Sequence, residues 1–196
     1  RSILMVSQSV EKKKYTRQEY LDFEVNAEER HEYLDGEIRV MAGGTPNHNR
    51  IIGNFYIALK LALAESRYDI FFSDQRVWIP EKNLYTYPDI FVIEGELQLQ
   101  EGRKDTLMNP CLIAEVLSSS TQGYDKDEKF KAYRTVPSLQ EYVLIDQYSP
   151  QIEHYRKTDP NQWLFTEYSG LEAMLRLRVG NLTIPLAEIY DRVNFD

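Results

Sequence analysis

The chain has 196 residues, a formal net charge of −8 at pH 7, 42% hydrophobic and 28% charged residues. That length buries a proper core without disulfides or a structural metal, and the composition excludes disordered and fibrous classes. No apolar run approaches the ~20 residues that span a bilayer, and a lone Cys111 with no secretion signal predicts a reducing, cytoplasmic setting.

Residues 1–14, ending in Lys12-Lys13-Lys14, are expected to form a flexible lead-in, with 15–196 as one domain, because no repeat, low-complexity tract or linker appears. Thr16 followed by Glu19 is a capping box that starts a short helix through Phe23. Asp35-Gly36 between the alternating segments from Glu32 to Met41 signals a β-hairpin. The segment Gly43-Gly44-Thr45-Pro46-Asn47 reads as a loop. From His48 to Ser66, Ile51, Ile52, Phe55, Leu59, Ala62 and Leu63 recur at helical spacing. Phe71 to Ile79 is expected to be one strand. Pro88 to Glu94 and Cys111 to Ser118 are short, β-branched runs bounded by turn residues, so both read as buried strands, joined by a charged loop from Glu94 to Asn109. A helix over about Asp125 to Thr135 stops at Pro137. Glu141–Asp146 and Gln151–Lys157 are expected to pair as strands, Trp163–Tyr168 is a further strand, and 171–193 makes a closing hairpin and short helix. This order predicts a mixed sheet flanked by helices, an α/β or α+β sandwich.

Three residues carry the chemistry. Asp89 opens one strand, Glu115 sits inside the next, and Lys129 follows on a helix. A charged side chain seldom enters a buried strand unless it is paired or metal-bound, so Glu115 is the more telling acid; the structural alternative is a glutamate held by an arginine or by backbone N–H groups. Two carboxylates on adjacent strands hold Mg²⁺ through oxygen ligands. With a nearby ammonium they form the minimum set for metal-assisted phosphodiester hydrolysis. From spacing alone, Lys126 and Lys131 compete with Lys129, and a solvated lysine is an equal reading.

Pro88-Asp89, Glu115-Val116-Leu117-Ser118, Asp125-Lys126-Asp127-Glu128-Lys129 with Tyr133, and Glu141 to Asp146 together resemble the Uma-two branch of the PD-(D/E)XK nucleases. Glu32 to Glu37 and the His48-Asn49-Arg50 helix start also resemble that branch, so the likeness covers roughly residues 15–190. The resemblance implies a restriction-endonuclease-like core, with the 32–41 hairpin and the C-terminal strands as additions. It implies a Mg²⁺- or Mn²⁺-dependent endonuclease acting on DNA, a homodimer, and metal ligation by Asp89 and Glu115. In the superfamily the lysine usually stands two residues after the second acid; here Leu117 occupies that place, and side chains two apart in a strand share a face. The resemblance implies that the lysine has moved to the following helix, at Lys129.

Glu32 resembles an additional acid drawn from an N-terminal element; otherwise it is a hairpin glutamate beside Arg30 or Arg39. His48 is a candidate for binding phosphate or the shell of metal-bound water, although a helix N-terminus disfavours its protonated form. Gln75 reads as structural. His31 and His154 lack zinc-ligand spacing. The charge of −8 opposes tight nucleic-acid binding, which is usually carried by a basic surface. Leu117 in the lysine position, with the acidic charge, sustains a second reading, a nuclease fold that binds without chemistry, and the 14 tyrosines sustain a third, an interaction protein that uses them as contact surface.

Overall fold

The computed structural model describes residues 12–196, so most of the expected lead-in, residues 1–11, lies outside the described residues. The first helix, α1 (Arg17–Val25), is closed by the capping box: Glu19 N–H donates to Thr16 Oγ1, and Thr16 N–H donates to the Glu19 carboxylate. Strands β1 (His31–Leu34) and β2 (Glu37–Val40) form the expected hairpin. Its turn residues Asp35 and Gly36 have φ of 44° and 95°, the double left-handed conformation that Asp-Gly tolerates.

Helix α2 (Pro46–Ala62) starts two residues earlier than the apolar spacing suggested. Proline suits the first helical position, where no N–H bond is needed, and Thr45 caps the helix by accepting from His48 N–H. The expected single strand Phe71–Ile79 is two strands in two different sheets, β3 (Tyr68–Phe72) and β4 (Arg76–Ile79). Ser73, at φ 52°, reverses the chain between them. A short strand that the sequence reading passed over, β5 (Leu84–Thr86), pairs with both β1 and β4. Then come β6 (Ile90–Glu94), the two-residue β7 (Thr106–Leu107) and β8 (Pro110–Leu117). The helical segment after β8 is composite: α3 (Gln122–Tyr124), a π-turn (Asp125–Lys129) and α4 (Phe130–Tyr133). The chain closes with β9 (Glu141–Asp146), β10 (Gln151–Asp159), β11 (Gln162–Ser169), β12 (Met174–Leu177), β13 (Leu182–Pro185) and α5 (Leu186–Ile189).

The central six-stranded sheet has the order β11-β10-β9-β8-β6-β3. All its pairs are antiparallel except β8–β9, which run parallel because the composite helix carries the chain back between them. The C-terminal strands β10 and β11 extend this sheet, while β12 and β13 pair separately. A second, five-stranded sheet, β2-β1-β5-β4-β7, carries the N-terminal hairpin. The result is the expected mixed α+β architecture.

Every residue of β8 is buried, and its alternation divides the core. Leu112, Ala114 and Val116 pack toward Ile51, Phe55 and Leu59 of α2. Ile113 and Leu117 face the other way, toward Phe130, Tyr133 and Tyr142, with Val77 and Ile79 of the second sheet. Tyr20 of α1 stacks on Tyr33 and Trp78 stacks on Tyr85, and the four rings form an aromatic cluster over the second sheet. No helix among the described residues is long and apolar enough to cross a membrane.

Candidate active site

The register of β6 on β8 brings the two acids together. Ile90 pairs with Ala114, so Asp89, just before β6, lies at the same end of the sheet as Glu115. Each acid is held by the other's strand. Asp89 N–H donates to Glu115 Oε2 at 3.3 Å, and Val116 N–H donates to Asp89 Oδ2 at 2.8 Å. These bonds fix both carboxylates without an arginine.

Glu115 faces the composite helix. Tyr133 donates its hydroxyl to Glu115 Oε1 at 2.8 Å, and Lys129 Nζ stands 3.6 Å from the same oxygen. Lys129 is also 3.8 Å from Glu32 Oε2, which accepts from the Thr86 hydroxyl at 2.6 Å. From the opposite face, His48 Nε2 reaches Asp89 Oδ2 at 3.3 Å. Gly44 makes room for that ring: a Cβ there would stand 2.6 Å from His48 Nδ1. The structure therefore gathers Asp89, Glu115, Lys129, Glu32 and His48, drawn from both layers, at one end of the sheet. Lys126 turns away to Glu153 at 3.0 Å, and Lys131 pairs with Asp127 at 2.9 Å in the open. Leu117 is buried in apolar company. Gln75 donates to the carbonyls of Arg76 and Asp105, a structural task.

Sequence reasoning missed Asp125, whose Oδ1 lies 3.2 Å from Lys129 Nζ. Its signal was the spacing of four from Lys129, which places two side chains on one helical face. It also missed Thr86, whose contact with Glu32 joins residues 54 apart in sequence. Glu32 is thus not held by Arg30 or Arg39.

The electrostatics follow from burial. Burial lifts Glu115 well above the usual carboxylate range; Lys129 pulls it back, and Asp89 and Asp125 push it further up. Burial raises Asp125 in the same direction. Burial pushes Lys129 down, but Glu115, Glu32 and Asp125 more than reverse this, so the ammonium form is favoured. Burial also opposes charge on His48, and the hydrogen bond and charge of Asp89 overcome it. Here a carboxylate outweighs the helix dipole.

Four carboxylates thus surround one ammonium and one imidazole. Glu115 is driven toward its neutral form, and Asp125 Oδ1 is buried without a hydrogen bond. That excess of negative charge and of oxygen donors suits a hard divalent cation. Among the described residues, no three acidic, histidine or cysteine groups form a ready cage. Asp89 and Glu115 offer the two-carboxylate arrangement that Mg²⁺ accepts while keeping waters and binding phosphate. A cleft of about 460 Å³, lined in part by Gly43, Gly44, His48, Asn49 and Tyr87, opens onto Asp89.

The model of the Uma2 family, described as a putative restriction endonuclease, matches residues 17–187. The uncharacterized protein sll1609 of Synechocystis sp. is 47% identical over 158 residues, which is 81% of this chain and 89% of that protein. A second uncharacterized Synechocystis protein, slr1290, is 35% identical over 184 residues, 93% of this chain and 94% of its own. The crystal structure of a putative nuclease belonging to DUF820 from Anabaena variabilis shares the fold, with a TM-score of 0.75 at 18% identity, covering 92% of this chain and 99% of that one. The family match spans most of the chain and the relatives run along most of its length, so the chain belongs to the Uma2 family of putative restriction endonucleases.

Proposed function

We propose that the chain is a Mg²⁺- or Mn²⁺-dependent endonuclease that hydrolyses phosphodiester bonds in DNA. The observation that carries this reading is the interlock of Asp89 and Glu115 with the Lys129 ammonium 3.6 Å from Glu115. Asp89 and Glu115 would hold the ion, which supplies Lewis acidity at the scissile phosphate when bound. Lys129 offers only donors, so its task is to orient the attacking water or to bind a phosphate oxygen, where negative charge develops. Tyr133 and the backbone N–H of Asp89 keep the Glu115 oxygens aimed. Glu32 restrains Lys129 from the second sheet. His48, whose charged form the Asp89 carboxylate favours, would bind a phosphate oxygen or its water. The bond broken would be P–O3′, as the family resemblance implies. Cuts in both strands of a duplex are commonly made by paired sites, which a homodimer would supply.

The test is cleavage of supercoiled plasmid with Mg²⁺ or Mn²⁺ by wild type, Asp89→Ala and Glu115→Ala. Metal-dependent nicking by wild type, lost in both variants, is expected. The burial of Leu117 in the usual lysine position favours a second reading, a module that binds nucleic acid without cutting it. Metal binding with no nicking on any substrate would select it.

A further inference from the structure

Asp125 has no part in the reaction set out above, yet it is nearer to Lys129 than either other acid. Its Oδ1 is 3.2 Å from Nζ, against 3.6 Å for Glu115 and 3.8 Å for Glu32. Asp125 is 3% exposed and Lys129 5% exposed, so solvent screens neither charge. Among the described residues, Asp125 Oδ1 is the buried side-chain polar atom that lacks a hydrogen bond. The ammonium is within reach but off the angle of a proper bond, so a small rotation of either side chain completes one.

The backbone beneath this pair is built for it. Asp125 and Lys129 are the first and last residues of the π-turn, a rare distortion that widens one helical turn and recurs at functional sites. Tyr142, fully buried in β9, donates its hydroxyl to the Asp125 carbonyl at 2.8 Å and so ties the turn to the central sheet. On its other side the Lys129 ammonium lies 5.4 Å from the centre of the Tyr124 ring, a further favourable contact for a cation.

Glu115 cannot serve Lys129 and a divalent cation equally. Once an ion draws the Glu115 oxygens, Lys129 keeps Asp125 and Glu32, and Asp125 is the nearer. We infer that Asp125 is a positioning residue, whose carboxylate holds the Lys129 ammonium facing the scissile phosphate when bound cation engages Glu115. The catalytic consequence rests on the nuclease reading. The contact itself does not.

The experiment compares wild type, Asp125→Asn and Asp125→Glu by two readouts. The first is the ¹⁵N–¹H signal of the Lys129 ammonium in the folded protein with saturating Mg²⁺ and no nucleic acid, so that Glu115 is engaged by the ion, observable because burial slows its proton exchange. It is expected in wild type and Asp125→Glu and lost in Asp125→Asn. An ammonium signal unchanged in Asp125→Asn would overturn the inference. The second is plasmid cleavage, with kcat and KM separated, beside Mn²⁺ titration of the same samples. Asp125→Asn should lower kcat roughly 10²-fold with little change in KM, the scale of loss when a reacting group is misplaced, and Asp125→Glu should recover most of it. The Mn²⁺ midpoint should stay put; a shift of about tenfold, ~1.4 kcal/mol, would instead make Asp125 a metal ligand and overturn the positioning role. A wild type that cuts nothing would contradict the nuclease reading, and the ammonium signal would still decide the Asp125–Lys129 contact.

Discussion

Burial sets the value of single contacts in this molecule. Tyr133 and Glu115 are both inaccessible, and the hydroxyl is one of the few donors that Glu115 has. Tyr133→Phe keeps the ring in the apolar cluster and removes only that donor. It should cost ~1–3 kcal/mol in chemical denaturation, the usual price of leaving a buried polar group short of a partner. A change within about 0.5 kcal/mol would mean that water replaces the hydroxyl. Asp105 presents a more exposed case. Arg103, against some burial, and then Arg76 and Thr106 hold its carboxyl well below the usual range. A carboxyl lowered in the folded state contributes stability above its unfolded pKa of ~3.9, and that contribution is lost as pH falls through the folded value. Asp105→Asn should therefore flatten the acid limb of the melting temperature below about pH 4, with a modest effect because the side chain is half-exposed. An acid limb identical to that of wild type would exclude this contribution.

At the scale of elements, β8 carries both core residues and the candidate acid Glu115, and its alternation explains why the lysine cannot stand where the superfamily usually puts it. Leu117 shares the face of Glu115, but at its position that face is closed by Phe130 and Tyr133. Leu117→Lys, built into Lys129→Ala, should not restore cleavage and should cost about 3 kcal/mol or more, because it buries an ammonium among apolar groups. Restored nicking with unchanged stability would contradict that reading. The same elements mark what the sequence could reveal. The capping box at Thr16, the Asp35-Gly36 turn and the apolar run of β8 around Glu115 are local signals, and each was legible. Phe71 to Ile79 looked like one strand because nothing in Ser73-Asp74 advertises a left-handed residue, and the apolar character on either side concealed the change of sheet. Three-residue β5 is too short to show a period. Asp89 and Glu115 could be singled out in the sequence because charge inside or beside apolar runs is conspicuous, whereas Lys129, in a charged run, was told from Lys126 and Lys131 only by the family resemblance. The hydrogen bond from Thr86 to Glu32 could not be singled out, since only the pairing of β1 with β5 brings the two together. Asp125 lay between these cases: its spacing from Lys129 was visible, but its burial was not.

Across the whole molecule, the candidate site sits where two layers meet the end of one sheet. The composite helix supplies Lys129 from one face, α2 brings His48 from the other, and the second sheet adds Glu32. The acids are held by strand pairing and by buried hydroxyls, so the site is largely formed before any ion or substrate arrives, as electrostatic catalysis requires. The clustered carboxylates account for part of the charge of −8. The central claim is that Lys129, delivered by the helix after β8, completes a metal-dependent nuclease site. Its most direct test is the rate of supercoiled-plasmid nicking in Mg²⁺ by wild type and Lys129→Ala, measured side by side. The account predicts nicking by wild type and a fall of about 10²–10³-fold in the variant, the scale expected when one group stabilising developing charge is removed. Equal rates in the two proteins would contradict it.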